Sequence, residues 1–209
     1  LARKPRTSLK KNIVFAVWSG EEIGILGSSH FAKDLDKNKI TAYLNMDMIG
    51  RYRDQLMIQG VASAKQWPAL IEKVNSVQPL KINLQDDPYL PSDALIFYMK
   101  EIPVLMAFTG SHPEYHTPKD RPELINYKGL VQTAAWMESM TIALASSPKP
   151  LVSYNKVEST KRANENRGFR LYLGTVPDYT QDGAKGVVIT GTSKDSPAEK
   201  AGLKAGDTI

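Results

Sequence analysis

Ile13-Val14-Phe15-Ala16-Val17-Trp18 is an apolar run of strand length that stops against the turn Ser19-Gly20-Glu21-Glu22-Ile23-Gly24. A run with no polar alternation predicts an interior strand of a sheet covered on both faces. Ile25, Leu26, Ser29 and Phe31 then begin a helical pattern, so the paired acids occupy a strand-to-helix turn. Ligands in open α/β sheets gather at the carboxyl ends of strands, which is where this pair sits. Acids in a first helical turn are also favoured by the helix dipole alone. The pair by itself therefore does not separate a solvated helix start from a site.

Two further runs deliver chemistry in the same way. Ile40 to Gly50 is apolar around Asp47, which is wedged between Met46 and Met48. Charged groups are almost never fully buried unless they are paired or bind a metal. Ile102 to Phe108 is a third strand candidate, and it runs into Thr109-Gly110-Ser111-His112-Pro113-Glu114-Tyr115-His116-Thr117-Pro118-Lys119-Asp120. Oxygen and imidazole groups on a rigid sheet edge, in a chain without cysteine, suit a hydrolytic zinc site.

Gly20-Glu21-Glu22-Ile23-Gly24, Asn45-Met46-Asp47-Met48-Ile49-Gly50-Arg51 and Tyr115-His116-Thr117-Pro118-Lys119-Asp120 occur in that order. This ordered set resembles the later motifs of the co-catalytic di-zinc aminopeptidases, the family that includes bacterial leucyl aminopeptidases. The resemblance covers residues 8–146 and implies two zinc ions in the complete enzyme. By it, Glu22 and His116 ligate one zinc and Asp47 the other, Glu21 is the general base, and Tyr115 helps hold the oxyanion. It also implies peptide substrates cleaved at a free N-terminus, and a periplasmic, secreted or outer-surface location in a bacterium. The family has a His-x-Asp motif and a bridging aspartate upstream of the paired acids. None of His30, His112 and His116 heads a His-x-Asp. The expectation is a fragment of a longer protein that supplies three of five ligands and has little activity alone.

The remaining candidates read more weakly. His-Pro-Glu-Tyr-His differs from the metalloprotease His-Glu-x-x-His, because Pro113 and Pro118 oppose the helix that would put both rings on one face. His112 reads as a group near the ligands or as a solvated loop residue, and His30 as structural. Ser19 has Val17 where a Gly-x-Ser-x-Gly nucleophile turn needs glycine. Net charge is +5, with Arg3, Lys4, Arg6, Lys10 and Lys11 near the start. No aromatic stacking residues or reading helix follow them, so the reading is a solvated connection rather than a nucleic-acid arm. No apolar run approaches the ~18 residues that a membrane span needs.

The fold class expected is α/β, a mixed sheet between helices with its N-terminal strands missing, followed by an incomplete PDZ-like β-rich domain. The boundaries are 1–147 for the peptidase half, 148–167 for a polar linker and 168–209 for the first part of a PDZ domain. Lys65 to Val77 reads as a helix with Trp67, Leu70, Ile71, Val74 and Val77 on its apolar stripe. Leu80 to Leu84 reads as a strand, and Ala94 to Lys100 as a helix capped by Ser92, with Asp93 an alternative pocket residue. Asn126 to Ala145 reads as a long helix with Leu130, Ala134, Met137, Ile142 and Leu144 on its apolar face.

Gly168 to Thr175, Gly186 to Thr190 and a short helix capped by Ser196, with Pro197 at its first position, resemble the opening of a bacterial PDZ domain. Such domains take an extended C-terminal peptide as an added strand, and Tyr172, Leu173 and Gly174 would be the carboxylate-loop positions. The alternatives in function are a carboxypeptidase-like or glutaminyl-cyclase-like relative, a non-catalytic scaffold, and a peptide-binding PDZ adaptor.

Overall fold

The computed structural model describes residues 9–158, 173–177, 185–192 and 196–209. Its main sheet contains β1 (Tyr43–Met46), β2 (Leu56–Gln59), β3 (Ile82–Gln85) and β4 (Val104–Phe108) in the order β1-β4-β2-β3. β1 runs parallel to β4 and β2 parallel to β3, while β2 and β4 are antiparallel. The sheet is therefore mixed, and helices cover both of its faces. The carboxyl ends of β1 and β4 lie at one edge, with Met46 opposite Ala107. Asp47 and the 109–116 loop are thereby brought side by side.

One face packs on α2 (Trp67–Val77) and α4 (Tyr127–Ser146), through Trp67, Ile71, Trp136 and Met140 against Leu56, Ile58 and Leu105. Ser63 organises the junction. Its hydroxyl accepts from Trp67 Nε1 at 3.0 Å and from the Val104 N–H at 3.0 Å, and donates to the Val104 carbonyl at 2.7 Å. The opposite face packs on α3 (Ala94–Met99) through Ala94, Phe97 and Tyr98 against Met57, Val104 and Met106. α1 (Leu26–Ala32) lies beside α3, with Trp18 and Phe31 packed on Phe97.

Several expectations need correction. Ile13–Trp18 belongs to no ladder, and Val14, Phe15 and Val17 are 72%, 76% and 100% exposed. An interior strand needs a hydrogen-bonding neighbour on each side, and among the described residues no strand pairs with it. The segment is instead held at its ends. Lys10 and Lys11 donate their N–H groups to the Ala145 carbonyl, and Trp18 donates its indole N–H to Tyr43 Oη.

On α4 the buried face is Gly129, Thr133, Trp136, Met137, Met140 and Leu144, while Ala134 is exposed. Val77, at the end of α2, is 79% exposed, since the helix stops before that turn reaches the sheet. Within the stretch read as linker, Val152 is in the core. Asn155 donates its N–H to the Ser63 carbonyl at 2.7 Å and its side-chain amide to the Ala62 carbonyl at 2.9 Å. Residues 152–157 are thus docked on the domain; 159–172 lie outside the described residues.

Farther on, β5 (Thr175–Pro177) and β6 (Ile189–Thr192) form an antiparallel pair. Ser196 caps α5 (Pro197–Lys200), its hydroxyl accepting from the Glu199 N–H at 3.2 Å. The expected strand over 168–175 is described only from 173, with the ladder beginning at Thr175. Tyr172 lies outside the described residues. Leu173 offers its carbonyl to the Ala198 N–H at 2.9 Å, and Gly174 has φ +79°. Among the described residues no helix is long and apolar enough to cross a membrane.

Candidate active site

The turn bearing the paired acids depends on close backbone contact. The Leu26 N–H donates to the Gly20 carbonyl at 3.1 Å and the Gly27 N–H to the Ser19 carbonyl at 2.9 Å. A Cβ on Gly27 would lie 2.8 Å from the backbone N and O of Ser19, a distance real side chains do not tolerate. Gly20 has φ +66°, where glycine pays no steric penalty. These two glycines let the chain double back between the paired acids and the start of α1 at Leu26, whose first turn holds no acid.

His116 Nε2 lies 2.6 Å from Glu22 Oε1, joining residues 94 positions apart. Glu21, Glu22, Asp47, Tyr115 and His116 line one cleft, and Asp93 and His112 line it too. The Tyr115 ring stacks on His116 with centroids 3.7 Å apart, and its edge meets His112 at 6.4 Å. His116 has φ +56°, a conformation that costs a non-glycine residue about 1–3 kcal/mol and is kept only where its surroundings impose it. Among the described residues no three His, Asp or Glu groups come close enough to hold one metal ion.

Like charges dominate the electrostatics. Glu21 is pushed up to about 6 by partial burial, then by Glu22, Asp47 and Asp93, with His116 opposing. Burial raises Asp47 as well, and its hydrogen bond from the Met48 N–H works against that. Clustered carboxylates without a counter-cation are an unfavourable arrangement that a bound cation would relieve. Tyr43 is pushed up to about 12, chiefly by burial.

Because Glu21 is raised, its folded form holds a proton more tightly than its unfolded form. Its contribution to stability is complete below the ordinary value of 4.5 and is lost as pH rises through about 6. Glu21→Gln removes that loss. In metal-free protein, the variant is expected to match the parent below pH ~4.5 and to exceed it by about 1 kcal/mol or less above pH ~6, after allowance for solvent screening. Denaturant titrations across this range check it, and a variant less stable above pH ~6 would contradict the charge clustering.

Asp93 is the residue that sequence reasoning undervalued. The Ser92 hydroxyl accepts from the Ala94 N–H at 3.2 Å, but the residue in the cap position is Asp93, whose side chain makes no cap bond. Asp93 instead turns into the cleft, where its Oδ1 accepts from the fully buried Ser28 hydroxyl at 2.5 Å. Its partner lies on α1, 65 positions away, so only a Ser-Asp pair opening a helix was visible locally. His112 is 7% exposed rather than a solvated loop residue. His30 is exposed on α1, away from the lining of the cleft.

A mixed sheet between helices, with carboxylates and an imidazole at the carboxyl ends of its strands, places this chain among the α/β proteins. Peptidase family M28 matches residues 1–141, and the chain belongs to that family. It is 33% identical over 116 residues to a probable leucine aminopeptidase 2 from Aspergillus oryzae, covering 50% of this chain and 23% of that protein. A Pseudomonas aeruginosa aminopeptidase is 54% identical over 39 residues, 17% of this chain and 7% of that one. The chain thus spans about a quarter or less of these relatives.

Among solved structures, the Legionella pneumophila LapA aminopeptidase superposes with a TM-score of 0.54 at 20% identity, over 62% of this chain and 38% of that one. BSAP, a zinc aminopeptidase from Bacillus subtilis, gives 0.54 at 21% identity, over 68% and 38%. These likenesses establish the fold.

Proposed function

We propose that this chain carries the second half of the catalytic domain of a zinc aminopeptidase. The observation that supports this most is the Glu22–His116 contact beside Glu21 at the carboxyl edge of the sheet, in a chain of family M28. The donor chemistry fits zinc, which accepts carboxylate oxygen and imidazole nitrogen. Glu22 and His116 would hold one ion and Asp47 a second. Bound zinc would polarise the scissile carbonyl and make water a stronger acid.

The protein's own groups then divide the work. Glu21, raised toward neutrality, accepts the proton of the attacking water and returns it to the leaving amine. Tyr115, stacked on His116, would help hold the developing oxyanion. Substrate is a peptide with a free N-terminus.

Assay of the full-length protein on aminoacyl anilides, before and after chelation and zinc return, tests this reading. Peptides blocked at either end separate the aminopeptidase from carboxypeptidase-like and glutaminyl-cyclase-like alternatives. Activity that survives complete zinc removal, or that needs a free C-terminus, would refute it. The 209-residue chain should by itself turn over little anilide, since it supplies one shared pair and one separate carboxylate. We propose further that residues 168–209 belong to a PDZ domain. The β5–β6 pair and the Ser196-capped α5 support this, and titration with C-terminal peptides tests it. An export location agrees with a peptidase acting on external peptides, and fractionation of cells would check it.

A further inference from the structure

Arg51 lies four residues beyond Asp47, and its side chain is 15% exposed. It donates to Asp120 Oδ1 at 2.7 Å and lies 3.5 Å from Glu114 Oε2. The same two carboxylates flank His112 from the other side. Its Nδ1 is 3.3 Å from Glu114 Oε2 and its Nε2 is 3.6 Å from Asp120 Oδ2, and its ring is 6% exposed. Arg51, Glu114, His112 and Asp120 therefore form a ring of neighbouring side chains, in which the buried His112 Nδ1 has no hydrogen-bond partner among the described residues.

The ring brackets His116 in sequence. Its acidic members stand one residue before and three residues after the Tyr115-His116-Thr117 turn, and that turn hangs between them. The Thr117 N–H donates to the Glu114 carbonyl at 3.0 Å, and the Asp120 N–H to the Thr117 carbonyl at 3.1 Å. On the opposite side the ring is tied to the end of β1. The Arg51 N–H donates to Thr109 Oγ1 at 3.2 Å, and the Thr109 N–H to the Met48 carbonyl at 3.3 Å. Arg53 adds a bond from its guanidinium to the Ser111 carbonyl at 2.8 Å.

An isolated exposed ion pair would contribute little. Here one guanidinium nitrogen, Nη2, lies against both carboxylates, the arginine side chain is 15% exposed, and the pair borders a turn whose His116 has φ +56°. Such a backbone does not keep its shape without outside restraint.

We propose that Arg51 is a positioning residue: it clamps the 111–120 loop to the end of β1 and so fixes where the His116 imidazole stands relative to Glu22 and Asp47. The proposal rests on the reading of Glu22, His116 and Asp47 as metal ligands. In this reading Arg51 is not itself a zinc ligand. It acts through Glu114 and Asp120, as groups behind metal ligands commonly do.

The test uses full-length protein carrying Arg51→Met, Arg51→Lys or Asp120→Asn. Zinc affinity is measured by chelator competition, and hydrogen exchange of the amides of Tyr115, Thr117 and Asp120 is measured without metal. Arg51→Met should weaken zinc binding about 10–100-fold and speed exchange at those amides, while exchange in β4 and α2 stays unchanged. Arg51→Lys should recover part of the affinity, because the ammonium keeps the charge but not the fixed planar donor geometry of the guanidinium. Combining Arg51→Met with Asp120→Asn should add little beyond the larger single effect.

Unchanged zinc affinity in folded Arg51→Met would overturn the proposal. So would faster exchange spread evenly over the domain, which is the mark of a merely structural arginine. Should the parent protein bind no zinc, the aminopeptidase reading falls. The exchange data still decide the clamp in that case, and unaltered loop exchange in Arg51→Met would overturn it.

Discussion

Glu21→Gln in the full-length protein is expected to keep its zinc and to lose turnover by a factor on the order of 10²–10⁴, the usual range for a general base. The amide preserves size and hydrogen bonding but cannot accept the proton of the attacking water. Glu22→Gln is expected to behave differently, because the side chain in contact with His116 at 2.6 Å would be a ligand. It should lose zinc as well as turnover. If both acids only favour a helix start, each change would alter stability by about 0.3–1 kcal/mol and spare the rate. Zinc content measured beside turnover separates these cases. Equal zinc loss in both variants, or full activity in Glu21→Gln, would exchange or remove the assigned roles.

The largest stability effect should come from Trp67→Ala, at about 3–5 kcal/mol. Trp67 is fully buried between α2 and the sheet, and truncation leaves a cavity that the surrounding rigid strands cannot close. The loss also removes one partner of the Ser63 hydroxyl, which still has to serve both backbone groups of Val104. Val104 opens β4, the strand that delivers the 109–116 loop, so loosening there should reach the cleft as well as the core. Denaturant titration of Trp67→Ala measures the first effect, with Val77→Ala on the exposed last turn of the same helix as the comparison. A midpoint for Trp67→Ala no lower than that of Val77→Ala would contradict this packing.

Local pattern determined much of this protein. Apolar runs predict β1 and β4, and the residues at their carboxyl ends are the ones that line the cleft: Asp47 after β1 and His116 beyond β4. The stripe of Trp67, Leu70, Ile71 and Val74 is the buried face of α2, and Ser196 before Pro197 starts α5. These features repeat over a few residues, and burial or capping at that range is written in side-chain type and spacing.

Tertiary structure alone decided the rest. Whether Ile13–Trp18 is a strand depends on neighbours, and an apolar run carries no information about whether a partner stands beside it. The antiparallel turn of β2 against β4, the docking of Val152, and the role of Asp93 each hang on a contact between distant segments. The same holds for the Glu22–His116 pair and for the ring joining Arg51, Glu114, His112 and Asp120. Each member is an ordinary polar residue in its own loop. What makes it functional is a meeting fixed by the register of β1 against β4, and pairing register is a property of two segments together, which neither encodes by itself.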